Sequence, residues 1–163
     1  MVKNNFSVID LANRGGCFDL QFRKDTRHER TGSPTYYRWK IQFVITTPKE
    51  EMRLLEKAKK IIGCGKISQT PGQARFSVQD IDDISEMIVP YFTKNRLVEN
   101  KKKDFDLWQR AVTIIYANKG ITISKWKKSD LHSLIEIHKS MAKYKRKPKS
   151  GKWLQMAQTL ART

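Results

Sequence analysis

Residues 7–22 read SVIDLANRGGCFDLQF, and the fold turns on how this stretch divides. Its first half is apolar with a helical look, carries Asp10, and stops at Asn13-Arg14-Gly15-Gly16. Its second half alternates. Phe18, Leu20 and Phe22 fall on one side and Asp19, Gln21 and Arg23 on the other, which is the period of a half-buried strand. A short helix therefore runs straight into a strand, with the glycine pair as its hinge.

Working outward, a polar connector with Gly32 and Pro34 leads into a second alternating run. Here Tyr37, Trp39, Ile41 and Phe43 oppose Tyr36, Arg38, Lys40 and Gln42, so the two strands make a hairpin with a long, charged loop. PKEEMRLLEKAKKIIG predicts a helix with Pro48 in its first turn, Thr47 as its cap and Gly63 as its stop. GKISQ and ARFSVQ, on either side of Thr70-Pro71-Gly72, predict a second hairpin with Ile67, Phe76 and Val78 inward. Asp80 precedes IDDISEMIVPYF, a helix that Pro90 should end or kink. Phe105, Trp108, Val112 and Ile115 form a helical stripe between Glu99 and Asn118. Ser124 is the expected cap of a further helix bearing Leu131, Leu134, Ile135 and Ile137, and KWLQMAQTLA predicts a last short helix. The order αββαββα, with connectors too short for parallel crossovers inside a hairpin, predicts an α+β fold. It has an antiparallel four-stranded sheet and extra C-terminal helices. Residues 1–142 read as one nucleic-acid-binding domain and residues 143–163 as a basic tail.

Composition narrows the partner. The chain has 163 residues, 39% of them hydrophobic, with 33 Lys plus Arg against 16 Asp plus Glu, a formal charge of +17. That charge repels itself in the folded state, and an anionic partner relieves it. Nucleic acid is the leading candidate and an anionic membrane surface the next. No stretch reaches the roughly 20 apolar residues of a membrane helix, and MVKNNFSV is too polar for a secretory signal. Cys17 and Cys64 make neither a disulfide framework nor a CxxC pair, and read as buried free thiols of a reducing compartment. His28, His132 and His138 are scattered, and no GxSxG or GxxxxGK[ST] element is present.

The strand periodicity gathers Gln21, Arg23, Arg38, Lys40, Gln42, Lys66, Ser68, Arg75 and Ser77 on the outer face of the sheet. These side chains bond base edges and phosphates, and antiparallel ribbons fit a major groove. Only Asp19 breaks the sign. Lys101, Lys102 and Lys103, and the arm KYKRKPKSGK with Lys145, Arg146 and Lys147, add further candidate phosphate contacts.

With this order in place, GGCFDLQF, CGKIS, IVPYF, KKKDFDLWQRAVTII and LIEIHKSMA together resemble a single-motif LAGLIDADG homing endonuclease over roughly residues 6–142. The resemblance implies a helix whose small residues pack against a second copy. It also implies an acid before the final glycine that holds a divalent metal at the scissile phosphates. Matched on Gly16-Cys17-Phe18, the acid position is Gly15, the earlier acid is Asn13 and the small packing position is Asp10. Gly15 offers no ligand to Mg²⁺, which wants carboxylate oxygen. Paired Asp10 carboxylates would repel in a tight interface, which disfavours the family's homodimer. The resemblance therefore implies a binder that has lost its nuclease, with no catalytic residue, no metal and no cofactor. RNA is favoured over DNA, as part of an organellar ribosome or in a maturase-like intron role within a ribonucleoprotein. Mitochondrial matrix or another organelle is the expected location, with cytoplasm or nucleus as alternative. The alternative function is a site-specific, Mg²⁺-dependent DNA endonuclease making double-strand breaks.

Overall fold

A computed structural model describes residues 7–25, 31–32, 36–143 and 154–162. Helix α1 (Val8–Gly15) opens on Ser7, whose hydroxyl accepts the Asp10 N–H at 3.2 Å. It passes without a linker into β1 (Gly16–Asp25), which pairs antiparallel with β2 (Tyr36–Pro48). A 3₁₀ turn (Lys49–Glu51) leads to α2 (Met52–Ile62), then β3 (Lys66–Thr70) and β4 (Gln73–Val78). The sheet order is β1-β2-β4-β3, antiparallel throughout. Next come α3 (Ile81–Asp83), a π turn (Ile84–Ile88), α4 (Val89–Lys94), α5 (Glu99–Ala117), α6 (Lys128–Ala142) and α7 (Leu154–Arg162). The α+β class, the αββαββα order and the extra C-terminal helices are as the periodicity predicts.

The alternation of the strands sorts the molecule into layers. Phe18, Leu20, Phe22, Trp39, Ile41, Phe43, Ile45, Phe76 and Val78 are buried on the helix-covered face. Phe18 is the centre of that core, with ring centroids 5.0 Å from both Phe43 and Trp108 and 5.2 Å from Phe105. Each such ring, fully buried, stabilises the fold by about 1.5–3 kcal/mol. Trp108 also donates its indole N–H to the Asp19 carbonyl at 3.1 Å, pinning α5 across β1. Tail helix α7 lies on α6, where Lys128 donates to the Leu160 carbonyl at 2.7 Å and Ala157 and Ala161 are buried.

Three local expectations are corrected. Thr47 does not cap α2: β2 continues through Pro48 because Thr47 and Pro48 still pair with Ala74 and Gln73 of β4. Ser124 does not cap α6, which starts after Lys127, while Ser124 lies in a separate 3₁₀ turn. Pro90 does not end its helix. The wider π turn ahead of it gives way to a helical segment in which Pro90 occupies the first turn, where a missing N–H goes unnoticed. Gly63 does stop α2, in the left-handed region at φ 94°, with its N–H on the Lys59 carbonyl at 2.7 Å.

Candidate nucleic-acid interface

The outer face of the sheet is set by register. Arg23 stands opposite Arg38, Gln21 opposite Lys40 and Asp19 opposite Gln42; on the other hairpin Lys66 faces Ser77 and Ser68 faces Arg75. The nine residues expected here do share this face, but unequally. Arg23, Lys66, Ser68 and Arg75 are exposed, Gln21, Arg38, Lys40 and Ser77 half-buried, and Gln42 only 3% exposed. Gln42 is therefore corrected from a contact residue to a buried one. Asp19 is also 3% exposed, and it is not the one acid of this parity, since β1 runs on to Asp25 opposite Tyr36.

Burial of Asp19 has a visible arrangement around it. Its Oδ2 accepts Gln21 Nε2 at 2.8 Å and Gln42 Nε2 at 2.8 Å. Gln42 Oε1 in turn accepts Gln79 Nε2 at 3.2 Å and Arg75 Nη2 at 3.5 Å. Gln79 is not among the nine expected residues although it closes the stretch ARFSVQ and shares the parity of Arg75 and Ser77; β4 itself stops one residue earlier, at Val78. The cations are crowded. Partial burial, then the neighbouring Arg23 and Arg38 charges, lower the pKa of Lys40 below its usual range, and Asp19 only partly offsets them. Like charges directly opposite on paired strands destabilise the pair. A polyanion laid on this face would remove that penalty.

Asn13, Gly15 and Gly16 meet at the end of α1. Asn13 Oδ1 accepts the Val98 N–H at 3.3 Å, tying α1 to the start of α5. Lys101, on the first turn of α5, donates its ammonium to the Gly16 carbonyl, and Lys102 pairs with Asp106 at 2.9 Å. Two of the three lysines expected to meet phosphate are thus engaged by Gly16 and Asp106, and Lys103 lies exposed on α5. Arg14 pairs with Glu51 at 3.5 Å rather than with Asp10.

This junction does not fit a divalent metal. No group of three or more His, Cys, Asp or Glu that could hold one exists among the described residues. Asp10 lies five residues before Gly15, about 7.5 Å away along the helix axis. Gly15 lacks more than a carboxylate: a Cβ built there would fall 2.4 Å from the Thr46 carbonyl oxygen, and that neighbour is backbone. The helix end has closed onto β2 to a distance that only glycine permits. Elsewhere, Cys17 and Cys64 are outside any disulfide and are half-buried rather than fully buried. Lys145, Arg146 and Lys147 lie outside the described residues. No helix among the described residues is long and apolar enough to cross a membrane.

Comparison with known proteins fits this geometry. The profile described as "LAGLIDADG endonuclease" matches residues 15–112. The chain is 30% identical over 101 residues to "Probable intron-encoded endonuclease 3" of Neurospora crassa, covering 61% of this chain and 19% of that one. It is 27% identical over 105 residues to "Probable intron-encoded DNA endonuclease 1" of Mycosarcoma maydis, covering 64% and 35%. The chain thus spans only a minor part of these relatives' length. Among solved structures, the homing endonuclease I-TnaI superposes with a TM-score of 0.72 at 19% identity, over 94% of this chain and 95% of that one. I-SmaMI bound to uncleaved DNA target in the presence of calcium ions superposes at 0.72 and 21%, over 96% and 49%. With a four-stranded antiparallel sheet and a profile match over more than half its length, the chain belongs to the LAGLIDADG endonuclease family.

Proposed function

We propose that this chain binds nucleic acid across the outer face of its sheet without cutting it, and that folded RNA is the preferred target. One observation carries the loss of cleavage. The position where the family motif places its metal-binding acid is Gly15, and the Thr46 carbonyl oxygen occupies the space a side chain would need. The Arg23, Arg38 and Lys40 cluster supports binding, since these crowded cations gain from a phosphate backbone. A binder with no cutting chemistry suits a scaffold role, in intron maturation or inside an organellar ribonucleoprotein. The intron-encoded relatives favour the intron role. A second reading, sequence-specific binding of duplex DNA, is favoured by the DNA-bound structures of I-SmaMI.

Filter binding of the full chain to a structured group-I-type intron RNA, to duplex DNA and to mixed tRNA, with and without Mg²⁺, separates these readings. The expected result is tightest binding to the intron RNA, steep weakening with salt and intact strands throughout. Mg²⁺-dependent strand breakage overturns the loss of cleavage. Tighter binding to duplex DNA than to either RNA transfers the target to DNA.

A further inference from the structure

The buried acid on the basic face has a consequence for which bases that face can accept. A glutamine amide is ambiguous by itself, since its oxygen and nitrogen ends have nearly the same shape. A carboxylate removes the ambiguity, because an ionised carboxylate only accepts. Asp19 Oδ2 takes one Nε2 from each side, from Gln21 at 2.8 Å and from Gln42 at 2.8 Å. The direction then propagates. With its nitrogen committed to Asp19, Gln42 presents Oε1 to Gln79 and Arg75. These four hydrogen bonds all run toward Asp19.

Gln21 stands at the open end of that chain. It is half-buried, it faces Lys40 across the hairpin, and its neighbour along the same face is exposed Arg23. One Nε2 hydrogen is committed inward, which fixes which way round the amide lies and keeps Oε1 as an acceptor away from Asp19, with the second Nε2 hydrogen still free to donate. Resting on the reading that this face binds nucleic acid, we infer that Asp19 is a positioning residue. It fixes Gln21 as a hydrogen-bond acceptor selecting a base that presents an exocyclic amino group, adenine N6 or cytosine N4. Guanine O6 and thymine or uracil O4 are acceptors that could take only the second Nε2 hydrogen and would leave Oε1 without a donor. Arg23 and Lys40, on either side, hold the phosphates that bring the base within reach. The sign break on the face is thus an orienting charge: removing it would make the surface more basic and less selective.

The test compares wild type, Asp19→Asn and Gln21→Ala in selections from a randomised RNA hairpin library and from a randomised duplex DNA library. The two arms show which kind of nucleic acid supplies the amino group. Wild type is expected to enrich adenine or cytosine at one position by about fivefold or more. Gln21→Ala should flatten that position and leave the others. Asp19→Asn keeps the shape but supplies an N–H of its own, so the Gln21 amide can turn over. Preference at that position should then flatten or move to guanine and uracil or thymine, with overall affinity held or raised. An unchanged base preference in Asp19→Asn overturns the inference while leaving nucleic-acid binding in place. Failure of wild type to bind either library overturns the binding reading itself, and this inference with it. If Asp19→Asn does not fold, the side-chain amide resonances of wild-type Gln21 and Gln42 decide. Slow proton exchange and a hydrogen-bonded shift at both are expected, and averaged, solvent-like signals at Gln21 overturn the positioning role.

Discussion

Gly15 is the residue on which the proposed loss of cleavage rests, and the obvious repair should fail. Gly15→Asp restores the acid that the family motif places before its last glycine. Its Cβ, however, would lie 2.4 Å from the Thr46 carbonyl oxygen, and backbone cannot step aside as a flexible side chain can. Either α1 or β2 must move, at a cost of about 1–3 kcal/mol. The expected outcome is a lower urea midpoint and no nicking of supercoiled plasmid in Mg²⁺; nicking with an unchanged midpoint contradicts this account. Cys64 gives a second test at the same scale. Burial first, then the nearby Asp83 and Asp80 charges, push its thiol from 9.0 up to about 11. The folded state therefore holds this proton more tightly than the unfolded chain. The associated stability is present below pH 9 and is lost as pH rises toward 11. Iodoacetamide at pH 8.5 should label Cys64 far more slowly in the folded protein than in urea, with mass spectrometry locating the adduct. Equal rates in both would show that the thiol is not protected.

Elements were legible where their period was set by burial. The parity of Phe18, Leu20 and Phe22 against Gln21 and Arg23 placed β1 and its faces correctly, and the same held for β2 and β4. What parity cannot show is depth. Asp19 and Gln42 sit on the outer face by count, yet neighbouring side chains and their own hydrogen bonds bury them. Caps fared worse, because Thr47 is claimed by pairing with Ala74 before it can serve α2. Asn13 was recognised as a worn acid, but its bond to Val98, 85 positions along the chain, has no local signal. Asp80, read from the sequence only as the residue before a helix, does cap it: its carboxylate accepts the N–H groups of Asp82 at 2.9 Å and Asp83 at 3.1 Å. Asp80→Ala should therefore cost about 1 kcal/mol in a denaturant melt. The same change removes one of the two charges raising the Cys64 thiol, so labelling of Cys64 should quicken. Loss of stability without faster labelling would mean that Asp80 and Cys64 do not communicate through charge.

Across the whole molecule, a formal charge of +17 on 163 residues means that stability and binding draw on the same side chains with opposite sign. Arg23 and Arg38 face each other across the hairpin, and burial followed by their charges lowers the pKa of Lys40 beside them. In the unbound protein these contacts repel; against a row of phosphates they all attract. Arg23→Glu separates the two roles. It converts a repulsive cross-strand pair into an attractive one, worth about 0.2–1 kcal/mol at an exposed position. The variant should therefore melt slightly higher than wild type in low salt, with the gain shrinking as salt is added. Nucleic-acid affinity should move the other way. One cation is lost and one anion gained on the contact face, so the slope of log affinity against log salt should become shallower by about one. Thermal melts and salt-titrated filter binding on the same preparation check both arms. An increase in stability with no change in affinity or salt slope would move the contact surface away from the β1–β2 hairpin. A fall in both would show that Arg23 supports the fold through contacts other than its repulsion with Arg38.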